Sequence, residues 1–159
     1  MNPAPLLSLY RSKGLRIATA ESCTGGMIAA ALTDVGGSSD VFERGFVTYS
    51  NAAKTEMLGV PAELIAKFGA VSEQVAREMA AGALRHAHAD VAVAVTGIAG
   101  PGGGSPGKPI GLVYLAVSRK GSQTHCERLQ LPGSRADIRR ATVARALEML
   151  AEILTEAEE

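Results

Sequence analysis

The sequence predicts an α/β fold: a three-layer α/β/α sandwich around a mixed central sheet. Three observations carry that reading. Strand-like apolar runs alternate with amphipathic helical stretches through the first two thirds of the chain, the pattern of crossover units around parallel strands. The run Val91-Ala-Val-Ala-Val95 is apolar throughout and rich in valine, as a strand covered on both faces must be. Beyond it, two further strand-like runs flank Arg119-Lys-Gly-Ser122, which reads as a hairpin and adds antiparallel pairing to the sheet.

Taken in order, residues 6–13 form a short amphipathic helix closed by Gly14, and 15–20 a strand with Leu15, Ile17 and Ala20 as its apolar positions. Glu21 to Gly26 turn the chain into an alanine-rich helix over 27–35, which Gly36-Gly-Ser-Ser39 breaks. Residues 41–49 extend again. A helix over 51–58 takes Ser50 or Asn51 as its cap, and Pro61 opens the next as its first helical residue, running to about 67. Ser72 opens a longer helix over 75–88 with apolar positions Val75, Met79, Ala83 and Leu84. The strand at 91–95 gives way to a breaker-rich loop over 97–108, then strands at 110–117 and 124–131. A final helix over 134–156 is capped by Ser134, and the acidic end from Glu152 to Glu159 reads as its fraying tail.

Composition narrows the function classes. The chain has 159 residues, 47% of them hydrophobic and 20% charged, which suits one globular domain over 1–159 with a core of its own. Lys+Arg and Asp+Glu are balanced at 16 each, so the basic excess of a whole-domain grip on nucleic acid is missing. Aromatics make up 4% and Trp is absent, which argues against a base-stacking platform. No apolar run approaches the ~20 residues of a membrane span, and the first residues lack the layout of a signal peptide. Cys23 and Cys126 stand too far apart for a disulfide framework, so a cytoplasmic setting with both thiols reduced is expected. His86, His88 and His125 have no metal-ligand spacing with the cysteines, and no metal is expected.

Three segments carry chemistry. In Thr19-Ala-Glu-Ser-Cys-Thr-Gly-Gly26 a strand hands over to a helix, whose first N–H groups are unpaired and partially positive. Ser22 there could be a nucleophile beside a ready oxyanion hole, with Gly25 and Gly26 allowing close approach to the backbone. Cys23 is the competing nucleophile, and Ser22 or Thr24 acting only as a helix cap is the plain alternative. In Gly45-Phe-Val-Thr-Tyr-Ser-Asn-Ala-Ala-Lys54, Lys54 falls in the first turn of a helix. The helix dipole and partial burial would both lower its pKa and make it a usable base, with Tyr49 near enough to relay a proton. An exposed Lys and a half-buried Tyr are the alternative there.

The third segment, Thr96-Gly-Ile-Ala-Gly-Pro-Gly-Gly-Gly-Ser-Pro-Gly-Lys-Pro-Ile-Gly111, nearly satisfies both the dinucleotide fingerprint and the P-loop. Both motifs need a helix directly after the loop, and a strand follows, so both are rejected. What survives is a loop rich in accessible N–H groups, with Lys108 within reach of a phosphate. Arg135, Arg139, Arg140 and Arg145 open the last helix; 135 and 139 share a face that could meet a phosphate, against the alternative of a solvated face.

Together these segments, with Lys108-Pro-Ile-Gly-Leu-Val-Tyr114, resemble the C-terminal domain of the CinA (competence- and damage-inducible) family, and nothing in them departs from its pattern. The resemblance spans nearly the whole chain and matches the stand-alone version. It implies a nicotinamide-nucleotide amidase that hydrolyses nicotinamide mononucleotide to nicotinate mononucleotide and ammonia, with no metal or organic cofactor. By motif position Ser22 would be the nucleophile, Lys54 its base, and Tyr49 a relay or orienting group. Cys23, Thr24, Gly25 and Gly26 would supply oxyanion contacts, Thr96 and Gly97 would line the site, and Ser39 would lie near the nucleotide. Arg140 would supply a phosphate contact, with Arg139 and Arg145 as rivals. The implied partners are a small-molecule nucleotide and a second copy of the chain in a homodimer. A non-catalytic nucleotide-sensing module is the alternative, and a different amidase or esterase with the same Ser-Lys machinery another.

Overall fold

The alternation of valine and alanine along the central strand decides which helices pack where. In β3 (Val91–Gly97), Val91, Val93 and Val95 point to one face of the sheet and Ala92 and Ala94 to the other. The valine face joins Ile17, Val113, Leu115 and Val117 and is covered by α1 (Ala4–Lys13), α2 (Met27–Thr33) and α6 (Arg135–Glu156). The alanine face adds Ala18, Ala20 and Ala116 and lies under α3 (Asn51–Leu58), α4 (Ala62–Phe68) and α5 (Glu73–Arg85). Small residues there let α5 sit close, and Gly82 is where it meets the Leu58 carbonyl; a Cβ at that position would overlap the oxygen. The structure, a computed structural model, describes residues 2–156; of the expected fraying tail, residues 152–156 are instead regular helix at the end of α6, and the remainder lies outside the described residues.

Among the described residues the sheet has five strands in the order β2-β1-β3-β4-β5. β1 (Ile17–Glu21) pairs in parallel with β2 (Phe42–Val47) on one side and β3 on the other. β4 (Leu112–Arg119) and β5 (His125–Gln130) complete it as an antiparallel hairpin. The three-layer α/β/α sandwich with a mixed sheet is therefore the observed fold. Because the chain leaves β1 to one side for β2 and returns to its other side for β3, a crevice opens at the carboxyl ends of β1 and β3, where open α/β sheets place their ligands.

Most boundaries fall within a few residues of expectation, and the departures have local causes. Pro61 is extended (φ −60°, ψ 131°) and precedes α4 rather than starting it. α5 begins at Glu73, because the Ser72 hydroxyl accepts the Val75 amide at 3.3 Å and admits the first turn. α6 opens with a reciprocal cap: Ser134 Oγ accepts from the Asp137 amide at 3.2 Å, and Asp137 Oδ2 accepts from the Ser134 amide at 3.0 Å.

Candidate active site

The end of β1 is pinned from both neighbours. The Ser22 amide donates to the Val95 carbonyl of β3 at 3.1 Å, and the Thr48 amide donates to the Glu21 carbonyl at 2.8 Å. Those two bonds fix Ser22 beside the segment that leads into α3. There the Ser50 hydroxyl caps the helix by accepting from the Ala53 amide at 3.0 Å, and Lys54 lies one residue further on. Its side chain turns back under the sheet edge. Lys54 Nζ donates to Ser22 Oγ and to the Thr48 carbonyl, both at 3.0 Å.

Lys54 is 1% exposed and Ser22 8%, and Lys54 pairs with no carboxylate among the described residues. Burial therefore works against the ammonium form and holds the Lys54 pKa below the ordinary lysine value, with the adjacent Cys23 opposing. A lysine so placed can give up its proton and accept one from the serine hydroxyl. Cys23 is a different case. Its thiol packs toward Gly97, and burial pushes its pKa up to about 11, so it is not a thiolate at neutral pH. Gly97 has no room for a side chain: a Cβ would stand 2.7 Å from Val113 Cγ2 and 3.1 Å from Cys23 Sγ.

The cleft around Ser22 and Lys54 has a volume of about 270 Å³. Thr96, Gly97 and the glycine loop as far as Gly103 form one wall, and Ala70 and Val71 another. The Thr96 hydroxyl ties the two walls together by donating to the Ala70 carbonyl at 2.8 Å. On the solvent side stand Tyr49, Asn51 and Arg135. Arg135 Nη1 donates to the Gly100 carbonyl at 2.9 Å and Nη2 to the Tyr49 hydroxyl at 3.2 Å, joining α6, the glycine loop and the β2–α3 connection.

Of the residues singled out from sequence, Ser22, Cys23, Lys54, Tyr49, Thr96, Gly97 and Arg135 thus meet at one cleft. The others are elsewhere. Ser39 precedes β2, and since β1 and β2 run parallel it lies at the opposite end of the sheet from Ser22, its carbonyl accepting from Arg16 Nη2 at 3.1 Å. Arg140 is exposed, 3.8 Å from Asp137, on a groove between α2 and α6. Arg145 is held by Glu127, Glu148 and Glu152. Lys108 Nζ donates to the Phe68 carbonyl at 2.5 Å and is not on the cleft wall. Tyr49 bonds to Arg135 rather than to Lys54, and the Lys54–Ser22 contact is direct, so the geometry calls for no tyrosine relay.

The turn after Ser22 also differs from expectation. Thr24, Gly25 and Gly26 do not line the cleft, and the first amides of α2 are already occupied. Those of Ile28 and Ala29 donate to Glu21 at 2.8 and 3.1 Å, Met27's to the Thr24 carbonyl and Gly25's to the Ser22 carbonyl, both at 3.0 Å. That leaves the Cys23 amide as the donor of this turn on a residue that faces the cleft. Glu21 is a residue that the sequence motifs do not single out. Its signal was a carboxylate ending an otherwise apolar strand directly before a helix.

An α/β sandwich with a buried serine–lysine pair at the carboxyl end of its parallel strands is the class this site defines. The particular family follows from comparison. A model of the family described as "CinA C-terminal domain" matches residues 3–154, and the chain belongs to that family. A CinA-like protein of Citrifermentans bemidjiense is 57% identical over 145 residues, 91% of this chain and 35% of that protein. One of Akkermansia muciniphila is 56% identical over 133 residues, 84% of this chain and 32% of that protein. The chain thus spans about a third of the length of the curated relatives it matches. Among solved structures, the competence/damage inducible protein CihA of Agrobacterium tumefaciens superposes with a TM-score of 0.93 at 52% identity, covering 94% of this chain and 92% of that one. A CinA superfamily protein of Escherichia coli gives 0.91 at 38% identity, covering 95% and 87%.

Proposed function

We propose that the chain is an amidohydrolase that converts nicotinamide mononucleotide to nicotinate mononucleotide and ammonia. The observation that carries the reading is the buried contact of 3.0 Å between Lys54 Nζ and Ser22 Oγ at the floor of a cleft. Neutral Lys54 takes the hydroxyl proton as Ser22 Oγ attacks the carboxamide carbon. The Cys23 amide stabilises the developing oxyanion. Lys54 returns the proton to the leaving nitrogen, ammonia departs, and a water activated by the same amine releases the acid from the acyl-serine. The substrate choice follows the family resemblance, and the cationic Arg135 on the solvent side of the cleft suits the nucleotide phosphate. Tyr49 orients the nucleotide at the entrance, a role supported by its 63% exposure and its tether to Arg135.

The test is ammonia release from nicotinamide mononucleotide by the wild type, Ser22→Ala and Lys54→Ala. Turnover in the wild type that falls by about three orders of magnitude or more in both variants is the expected result. A wild type that binds the mononucleotide without releasing ammonia would replace the amidase by the nucleotide-sensing module. A homodimer is part of the same proposal, and sedimentation equilibrium measures it.

A further inference from the structure

Glu21 is fully buried at the last position of β1, immediately before the nucleophile. No arginine or lysine side chain among the described residues forms an ion pair with it. A carboxylate taken out of water without a cation must have its oxygens met by donors. Three meet it: the Thr24 hydroxyl at 2.7 Å and the Ile28 amide at 2.8 Å on Oε1, and the Ala29 amide at 3.1 Å on Oε2. All belong to the turn after Ser22 or to the first turn of α2. On the other side of the same turn, Arg139 Nε donates to the Cys23 carbonyl at 3.0 Å and Nη2 to the Thr24 carbonyl at 3.3 Å.

The turn is therefore held by its amides and hydroxyl from one side and by its carbonyls from the other. The peptide joining Ser22 to Cys23 has its carbonyl engaged by the Gly25 amide. A trans peptide sets N–H opposite to C=O, so the Cys23 amide points out of the turn. Ser22 lies between the anchored Glu21 and the anchored Cys23, and its side-chain direction is set from both sides.

We infer that Glu21 is a positioning residue: its carboxylate, through Thr24 and the first amides of α2, holds the Ser22 turn so that Oγ meets Lys54 and the Cys23 amide faces the cleft. This rests on the Ser22–Lys54 amidase reading. The carboxylate also fills the helix terminus that the sequence offered to the substrate, so the turn is braced by the chain's own anion.

The experiment compares steady-state ammonia release by the full chain, Ser22→Ala, Glu21→Gln, Thr24→Val and Thr24→Ser, with thermal midpoints recorded for each. Glu21→Gln is expected to lower kcat about 10- to 100-fold, as misplacement of a reacting atom does, with KM within about twofold. Thr24→Val, which keeps the carboxylate, should lose a smaller part of kcat, and Thr24→Ser should restore it. That split and that rescue are what loss of folded protein alone would not produce. If Glu21→Gln does not fold, the Thr24 pair carries the test. Ser22→Ala silent while Glu21→Gln and Thr24→Val turn over like the wild type overturns this inference alone, as does a kcat loss that Thr24→Ser fails to restore. An inert wild type, or an active Ser22→Ala, overturns the amidase reading and this inference with it.

Discussion

Lys54 Nζ stands 3.0 Å from Ser22 Oγ and 3.0 Å from the Thr48 carbonyl, and all of these groups are buried. A carbonyl neighbour can accept a hydrogen bond from the amine in either protonation state, so what tips the amine toward neutrality is its removal from water. The proposed amidase should accordingly gain kcat/KM with rising pH as Lys54 loses its proton, with the midpoint of that limb below the ordinary lysine value. Lys54→Arg keeps a charge that cannot be surrendered and should abolish the limb together with the activity. A pH profile that stays flat through the range where the wild type is folded would remove Lys54 as the base.

The same lysine costs stability, and the sign is fixed by linkage. Its folded pKa is lowered, so between the folded and unfolded values the unfolded chain binds more protons and stability rises with pH. Stability is fully present above the unfolded value of about 10.4, falls as pH drops through that window, and stays at the lower level beneath the folded value. Lys54→Met fills nearly the same space without an amine to desolvate. It should be inactive yet at least as stable as the wild type at pH 7, with a flatter dependence of urea midpoint on pH.

The thiol beside the nucleophile should be silent. Burial holds Cys23 near 11, and Cys126 likewise near 11, which leaves under about 0.1% thiolate at pH 7 by the definition of a pKa. Brief iodoacetamide treatment at that pH should leave ammonia release intact. Loss of activity in step with alkylation of Cys23, followed by mass spectrometry, would return the cysteine to candidacy as nucleophile.

The sequence made some features legible because they are local. Valine–alanine alternation at 91–95 marks a doubly covered strand, and the Ser50 cap falls where the helix pattern starts. The meeting of Ser22 and Lys54 is not local: 32 residues separate them, and only the parallel register of β1 and β2 brings Thr48 and the start of α3 alongside Ser22. The family motifs supplied that pairing where spacing could not. The arginines show the reverse case. Positions 135 and 139 lie one helical turn apart and both reach the Ser22 neighbourhood, whereas 140 is turned by a further ~100° to another groove. The face rule groups 135 with 139, whereas motif position points to Arg140, and the structure puts those two choices on different grooves. Ser39 stands apart from Ser22 for a topological reason, since a residue before a parallel strand lies at the opposite end from one after its neighbour.

That rotation of α6 separates two arginines experimentally. Arg135→Ala removes the cation on the solvent side of the cleft and the tether to Tyr49. It should raise KM for nicotinamide mononucleotide about 10-fold or more with a smaller change in kcat, the signature of lost substrate binding. Arg140→Ala removes an exposed side chain 3.8 Å from Asp137 and should leave both constants within about twofold, as surface ion pairs contribute little. The opposite ranking would put the phosphate on the α2–α6 groove.

Gly97 tests the packing that brings the glycine loop against the nucleophile turn. A methyl group there would meet Val113 Cγ2 at 2.7 Å, the Leu112 carbonyl at 3.0 Å and Cys23 Sγ at 3.1 Å. One of these neighbours is backbone in the paired β4, which cannot give way without loosening the Ile98 amide's bond to that same carbonyl. The yielding parts are the Val113 side chain and Cys23, so strain is passed to the residue that follows Ser22. Gly97→Ala should cost about 1–3 kcal/mol, the usual penalty of overpacking a filled interior, read as a lower urea midpoint. Because the displaced thiol belongs to Cys23, which follows Ser22 and lines the cleft, kcat should fall further than the fraction of unfolded protein accounts for. Gly102→Ala, where an added Cβ meets nothing within 4 Å, should match the wild type in urea midpoint. Equal midpoints for the two variants would mean that the Gly97 contact is not tight.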